Sequence, residues 1–104
     1  MVQIGDPFVA NANKQLSTDE LCQALRVDMA GELEAIIGYE AHAMATNDQQ
    51  VKQVLYHIAD EERRHVGQLQ QLLYLLQPKE QQYIEEGKQN IVNQQNQGFQ
   101  QQPQ

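Results

Sequence analysis

Apolar residues recur every three or four positions along two long segments of this 104-residue chain, and that spacing is typical of one face of an α-helix. In the first segment the stripe consists of Leu25, Met29, Ile36, Tyr39 and Ala43. In the second segment it consists of Val51, Leu55, Ile58, Leu69, Leu72 and Leu76. The pattern therefore predicts two amphipathic helices, each with an apolar stripe that needs a partner surface.

Capping signals predict where the first helix begins and ends. Ser17 and Glu20 match a capping box, in which the serine hydroxyl accepts from the backbone N–H three residues on and the glutamate reaches back. From Thr18 to about Ala45 the chain has no proline, so one long helix is expected there. The residues that follow are polar, and Thr46 or Asn47 is the expected N-cap of the second helix.

A proline marks the boundary between the second helix and a shorter third one. The second helix is expected from about Asp48 to Leu76, because proline disfavours helical geometry in the residue before it, here Gln77. Pro78 itself suits the first turn of a helix. The third helix is therefore expected from Lys79 to about Asn93.

These elements predict an all-α fold: an antiparallel two-helix hairpin plus a short C-terminal helix, within residues 18–93. Residues 1–17 are expected to be an N-terminal arm without regular structure, and the Gln-rich residues 94–104 a disordered tail. A lone hairpin leaves part of its apolar stripe exposed to water. Two chains should therefore pair into a four-helix bundle.

Three titratable residues interrupt the two apolar stripes. Glu32 occupies a stripe position in the first helix, and Glu62 and His65 occupy stripe positions in the second. Glu32 lies about 14 residues before the break between the helices and Glu62 about 15 after it, and both helices rise ~1.5 Å per residue. In an antiparallel hairpin the two carboxylates should therefore lie at the same level.

A buried carboxylate needs a partner, and Arg63 and Arg64 point to other faces of the second helix. The possible partners that remain for this carboxylate are a bound cation or a shared proton. Di-iron carboxylate bundles use a Glu from each of two helices plus Glu-x-x-His from each of the other two. This chain supplies half of that set, and a two-fold axis would supply the rest. The other interpretation is a metal-free polar network that closes a helical dimer.

Charge and composition exclude several function classes. The formal net charge is −7 with seven Lys and Arg residues, whereas nucleic-acid binding needs clustered cations. The single Cys22 excludes an intramolecular disulfide framework and a Cys-rich metal site. The first residues show no signal-peptide pattern, and no apolar run reaches the ~18 residues of a membrane span. The cytoplasm is therefore the expected location, with no membrane partner.

The same residues resemble a known family, the encapsulated ferritins, which are half-length members of the ferritin-like superfamily. The resemblance is carried by residues 32–35 (Glu-Leu-Glu-Ala) with Tyr39, and by residues 60–62 (Asp-Glu-Glu) with His65. It covers about residues 18–90. It implies a subunit of two long helices and a short third one that dimerises as a ferritin-like four-helix bundle around a di-iron ferroxidase centre. The dimers would assemble further into a ring-like decamer.

The resemblance also implies roles for individual residues. Glu32, Glu62 and His65 would be the iron ligands of each subunit, one iron per chain, with Glu62 bridging the two metals. Tyr39 would lie beside the centre as part of the catalytic set. Glu34 would belong to a metal site where cations enter at the subunit interface. An encapsulin shell protein would be a partner, and the inside of an encapsulin nanocompartment a location.

Two features depart from the family pattern. Members often have a second carboxylate directly before the first ligand, where this chain has Gly31, so the cation site at the interface would be thinner or absent. Members typically end in a short apolar-and-basic peptide that docks them inside the shell. The tail GFQQQPQ has one Phe and no basic residue, so it does not match that signal.

The favoured function is oxidation of Fe(II) to Fe(III), a ferroxidase reaction that serves iron storage or detoxification. Two alternatives stay open. One is a rubrerythrin-like, peroxide-consuming di-iron protein, although the Cys-rich iron domain usual in rubrerythrins is absent from this sequence. The other is a non-enzymatic helical interaction module whose Glu–His cluster binds structural zinc or nothing.

Overall fold

The computed structural model describes residues 14–98 as three consecutive α-helices. They are α1 (Thr18–Ala45), α2 (Gln49–Leu76) and α3 (Pro78–Gln97). α1 and α2 pack against each other as a hairpin, and α3 packs mainly on α2. The predicted all-α fold class is confirmed. Most of the predicted arm and the last part of the predicted tail lie outside the described residues.

The capping box at the start of α1 is present. The Ser17 hydroxyl accepts from the N–H of Glu20 at 3.1 Å, and a carboxylate oxygen of Glu20 accepts from the N–H of Ser17 at 2.9 Å. These bonds satisfy two backbone donors that the first turn of a helix otherwise leaves unpaired. The local sequence alone thus fixes where α1 begins.

The N-cap of α2 is Asp48, so the prediction of Thr46 or Asn47 was wrong. The Asp48 carboxylate accepts from the N–H of Val51 at 3.1 Å, and the Thr46 hydroxyl accepts from the N–H of Asp48 at 3.2 Å. All three residue types cap well, but only aspartate adds a negative charge at the positive end of the helix dipole.

α3 begins at Pro78, as expected, and runs further than its predicted end near Asn93. It continues to Gln97 and stops at Gly98, whose φ of 144° is a conformation that residues with a side chain rarely adopt. Residues 94–97 are therefore helical, and the prediction that they belong to the disordered tail is wrong.

The buried apolar residues of the hairpin fall into two groups, one toward each end. Far from the loop, Cys22, Leu25 and Leu73 form one cluster, with Met29 and Leu69 packed against it. On the loop side the buried residues are Ile36, Ala43 and Ala59. The stripe predicted for α1 is confirmed by the burial of Leu25, Ile36 and Ala43.

The stripe predicted for α2 is only partly buried. Three of its members are exposed, namely Val51 (46%), Leu72 (49%) and Leu76 (37%). The buried residues of α2 are instead Ala59, Leu73 and Tyr74. The physical reason is that α1 covers only one edge of the apolar face of α2. The other edge has no covering element within the described part of the chain.

Within residues 14–98, no helix combines the length and the apolar character needed to cross a membrane.

Candidate metal centre

The centre of the hairpin brings together the three titratable residues that interrupt the stripes. Glu62 and His65 are three residues apart on α2 and therefore share one helix face, and Glu32 faces them from α1. The His65 Nδ1 atom lies 3.0 Å from Oε1 of Glu62 and 3.6 Å from Oε1 of Glu32. One ligand atom from each residue lies within 4.8 Å of the other two. We call these three residues the triad.

The triad is buried on one side and open on the other. The exposed fraction of the side chain is 17% for Glu62, 25% for Glu32 and 48% for His65. The expectation that Glu62 points inward therefore agrees with the structure, whereas His65 lies at the edge of the hairpin. An ion held by the triad would be reached from the side of His65.

This arrangement changes the pKa of the Glu32 carboxylate. A hydrogen bond with Glu62, then burial, then the negative charge of Glu62 raise the pKa of Glu32, and His65 opposes that rise. Ionisation of both carboxylates at such close range is unfavourable, because like charges repel strongly where water is scarce. A proton or a cation between them removes the repulsion.

The donor set fits a divalent transition-metal ion. Carboxylate oxygens with an imidazole nitrogen suit Fe(II), Mn(II) and Zn(II). Ligand atoms at roughly 2.0–2.2 Å from a common ion can be no more than about 4.4 Å apart, and the separations within the triad are compatible with that limit after at most a small movement. Three donors from one chain do not fill an octahedral coordination sphere. Positions therefore stay open for water, oxygen or a further protein ligand.

Two other residues with an expected role lie away from the triad. Tyr39 is half-buried on α1, two turns from Glu32 toward the loop. Glu34 is exposed and does not belong to the cluster of possible metal ligands. The structure thus brings Glu32, Glu62 and His65 together, and it leaves Glu34 on the surface.

A neighbouring contact was not foreseen in the sequence. Arg63 bonds to Glu40 of α1 and to Asp60 of α2. Helical spacing predicts the pair with Asp60, which is three residues away, but the pair with Glu40 joins residues 23 positions apart. Only the packing of the two helices could reveal that second partner.

Comparison with known proteins places this geometry in a family. The family model for the ubiquinone biosynthesis protein COQ7 matches residues 19–82. A crystal structure of the encapsulated ferritin domain from Pyrococcus furiosus superposes with a TM-score of 0.78 and 31% sequence identity, and the match covers 89% of this chain and 94% of that one. The chain belongs to the encapsulated ferritins. The matching family model is also of the ferritin-like superfamily.

Two curated relatives agree with that assignment. The chain is 33% identical over 75 residues to the encapsulin nanocompartment cargo protein EncC of Myxococcus xanthus, and 36% identical over 75 residues to the ferritin-like–encapsulin shell fusion protein of Pyrococcus furiosus. Each match covers 72% of this chain. It covers 58% of the first relative and 22% of the second, so this encapsulated ferritin spans only part of either protein.

Proposed function

We propose that this encapsulated ferritin is a ferroxidase that binds Fe(II) as substrate at the triad and oxidises it to Fe(III) for iron storage or detoxification. One observation carries the proposal. Two carboxylates and an imidazole, from two different helices, place one ligand atom each within 4.8 Å of the other two. The membership of the chain in the ferritin-like superfamily supports iron as the metal.

Each residue of the triad has a distinct task in this proposal. Glu62 would bridge two metals, as the resemblance to the family implies, and a carboxylate has the two oxygen atoms that such a role needs. Glu32 and His65 would each hold one side of an ion. Negatively charged oxygen ligands favour Fe(III) over Fe(II), because they stabilise the higher charge more. Two Fe(II) ions release two electrons, which with two protons convert one oxygen molecule to hydrogen peroxide.

A complete di-iron centre requires a second chain in this proposal, because one triad supplies half of the usual ligand set. The surface beside the triad supports such a pairing. His65 is half-exposed, and Leu72, two turns further along the same face of α2, is 49% exposed as well. A second copy related by a two-fold axis would cover these residues and bring a second triad next to the first. We propose the homodimer as the catalytic unit and a decamer as its further assembly.

Two further residues keep proposed roles. Tyr39 would lie beside the di-iron centre, where its hydroxyl can donate a hydrogen bond or a proton. Glu34 would attract cations at the interface between subunits, which its exposure permits.

An encapsulin shell is the proposed partner. The Myxococcus xanthus relative is named as encapsulin cargo, and the Pyrococcus furiosus relative is named as a fusion to an encapsulin shell. Two grooves beside the described helices have volumes of about 400 and 230 Å³, and each is too small for an iron mineral. Fe(III) would therefore leave the subunit for a store outside it, within a shell in the cytoplasm.

Native mass spectrometry after anaerobic addition of Fe(II) tests the proposal, because it gives the mass of the oligomer and the number of metals per chain together. The expected result is one iron per chain, bound only by even-numbered oligomers. Admission of oxygen should then yield Fe(III) and peroxide faster than in a protein-free control. A folded chain that takes up no Fe(II), or Fe(II) that oxidises no faster than the control, would overturn the ferroxidase assignment.

A further inference from the structure

The middle of the hairpin, where the triad lies, contains no buried residue on either helix. On α2, none of residues 60–72 is buried, a stretch of about 20 Å at ~1.5 Å per residue. On α1, none of residues 26–35 is buried. Apolar packing normally fixes how far one helix is displaced along another. Around the triad that packing is reduced, because charged groups occupy positions where large apolar residues would interlock, and Met29 and Leu69 are only partly buried there.

The charges of the triad also act against a fixed arrangement of the helices. The Glu32 and Glu62 carboxylates face each other from α1 and α2 within the triad. Where both carboxylates are ionised and no cation is bound, like charges favour a larger distance between the helices. An additional contact is needed to hold the donors close together in the metal-free protein.

Arg63 makes such a contact next to the triad. Its Nη2 atom donates to Oε2 of Glu40 on α1 at 2.7 Å, and its Nη1 atom donates to Oδ1 of Asp60 on α2 at 3.0 Å. Arg63 directly follows Glu62 in the chain, so an axial shift of its backbone also shifts Glu62. The guanidinium thus ties the α2 segment that carries Glu62 to a point two turns beyond Glu32 on α1.

We infer that Arg63 is a positioning residue for the proposed metal centre. By joining Glu40 and Asp60 across the hairpin, it sets the axial register of α1 against α2 and so keeps Glu32 within reach of Glu62 and His65. This inference rests on the proposed function, since it concerns the affinity of the triad for Fe(II). The guanidinium of Arg63 bonds to Glu40 and Asp60, neither of which belongs to the triad, so it acts on the donors through the helices.

Arginine suits this role better than lysine. Two separate nitrogen atoms of the planar guanidinium contact two carboxylates at once, which fixes direction as well as distance. A lysine ammonium keeps the charge but acts as a single point. The conservative variant Arg63→Lys keeps the positive charge but loses the two-point contact. It therefore tests the effect of the helix register separately from the effect of charge.

If Arg63 sets the register, its removal should change Fe(II) affinity in the opposite direction from the change expected if only its charge matters. Removal of a positive charge beside an acidic site should strengthen cation binding if charge alone matters. Loss of register should weaken it. Exposed ion pairs are worth about 0.2–1 kcal/mol, so Arg63→Ala is expected to bind Fe(II) about 1.4- to fivefold more weakly. Arg63→Lys should lie between Arg63→Ala and the wild type.

The experiment is anaerobic calorimetric titration of the metal-free full chain with Fe(II). It uses the wild type, Arg63→Ala, Arg63→Lys, Glu40→Ala and the double variant of Arg63→Ala and Glu40→Ala. The double variant should bind no more weakly than Arg63→Ala alone, because both changes break one contact. If Arg63→Ala does not fold by circular dichroism, Arg63→Lys carries the test, because it keeps the positive charge and loses the two-point contact.

Two control variants separate the remaining effects. Arg64→Ala removes the same charge one residue further along α2 and should leave Fe(II) affinity unchanged or slightly raise it. Arg26→Ala breaks a cross-helix ion pair with Glu80, which is 2.8 Å long and lies toward the far end of the hairpin. It should lower thermal stability without lowering Fe(II) affinity, so it excludes a general loss of stability as the cause.

The possible failures are distinguishable. A wild type that binds no Fe(II) overturns the proposed function and this inference with it. A wild type that binds Fe(II), combined with an Arg63→Ala variant that binds equally well or more tightly, overturns the inference alone. Equal weakening in Arg63→Ala and Arg26→Ala would also overturn it.

Discussion

Two glutamate–histidine pairs lie within nine residues of each other on α2, and they differ in almost every physical respect. His57 and Glu61 are four residues apart, their nearest atoms are 3.8 Å apart, and their side chains are 68% and 52% exposed. Glu62 and His65 are three residues apart and 3.0 Å apart, and Glu62 is only 17% exposed. The same two residue types thus form a solvated surface pair and the core of a candidate metal centre.

The difference comes from α1. Glu62 and His65 share the face of α2 that meets Glu32, whereas no residue of α1 contributes to the His57–Glu61 pair among the recorded ion pairs. A third donor turns a weak pair into a cluster that repels itself unless a cation or a proton is present. The motif is therefore informative only together with the helix opposite it.

The largest expected effect separates the two pairs directly. The double variant of Glu62→Ala and His65→Ala should lose Fe(II) binding and all oxidation above the protein-free rate, because two of the three donors are gone. Its helix content should persist. The matched double variant of His57→Ala and Glu61→Ala removes the same residue types from the same helix and should retain both activities. Stopped-flow absorbance of Fe(III) formation measures the rates, and oxidation retained in the first variant would contradict the site assignment.

The second effect concerns the charge of Glu32. Its pKa is raised above the ordinary value of 4.5 in the folded chain, so the folded state binds more protons than the unfolded state above that value. The contribution of Glu32 to stability is therefore fully present below pH 4.5 and is lost as the pH rises through the raised pKa. The side chain of Gln cannot ionise. The unfolding temperature of metal-free Glu32→Gln should therefore be a few degrees higher than that of the wild type at pH 7 and about equal to it at pH 4.

Glu32→Gln should also lose most of its Fe(II) affinity, so stability and binding change in opposite directions. Thermal unfolding followed by circular dichroism between pH 4 and pH 7 measures the stability, and anaerobic titration with Fe(II) measures the affinity. Glu61→Gln is the exposed control and should alter neither quantity. A lower unfolding temperature for Glu32→Gln at pH 7 would show that the two carboxylates do not repel each other in the folded chain.

A smaller effect is expected at Tyr39, which is half-buried on the same stripe as Glu32. Tyr39→Phe removes one hydroxyl, and a hydrogen bond contributes about 0.5–1.5 kcal/mol. Oxidation should therefore be about two- to tenfold slower, with an unchanged number of bound irons. Tyr56→Phe, on the exposed side of α2, is the control and should leave the rate unchanged. Identical rates for wild type and Tyr39→Phe would remove Tyr39 from the catalytic set.

The smallest effect is expected at Glu34, which resembles Glu61 in its exposure. A role in attracting cations predicts that Glu34→Ala slows Fe(II) uptake by less than about twofold at low salt, and that the difference disappears at high ionic strength. The number of irons bound at saturation should not change. Stopped-flow uptake at two salt concentrations measures this, with Glu61→Ala as the control. Equal slowing in both variants would mean that only general charge attracts the ion.

The sequence by itself determined the local features of this encapsulated ferritin. The capping box at Ser17 and the proline at position 78 fix helix boundaries through bonds and sterics within a few residues. The equal distances of Glu32 and Glu62 from the loop follow from the constant rise of a helix, so their proximity could be predicted without coordinates. The choice among three adjacent capping residues before α2 could not, because they differ too little in free energy.

Only the tertiary structure decided which edge of each apolar face is covered. The pattern of α2 predicts Val51, Leu72 and Leu76 as core, yet they are exposed while Leu73 is buried, because periodicity identifies an apolar face but not the neighbour that covers it. The same reason applies to His65, which lies at an open edge, and to Arg63, whose partner Glu40 is distant in the chain. Contacts between residues far apart in sequence depend on the relative position of two helices, and that position is set by the packing of the whole hairpin.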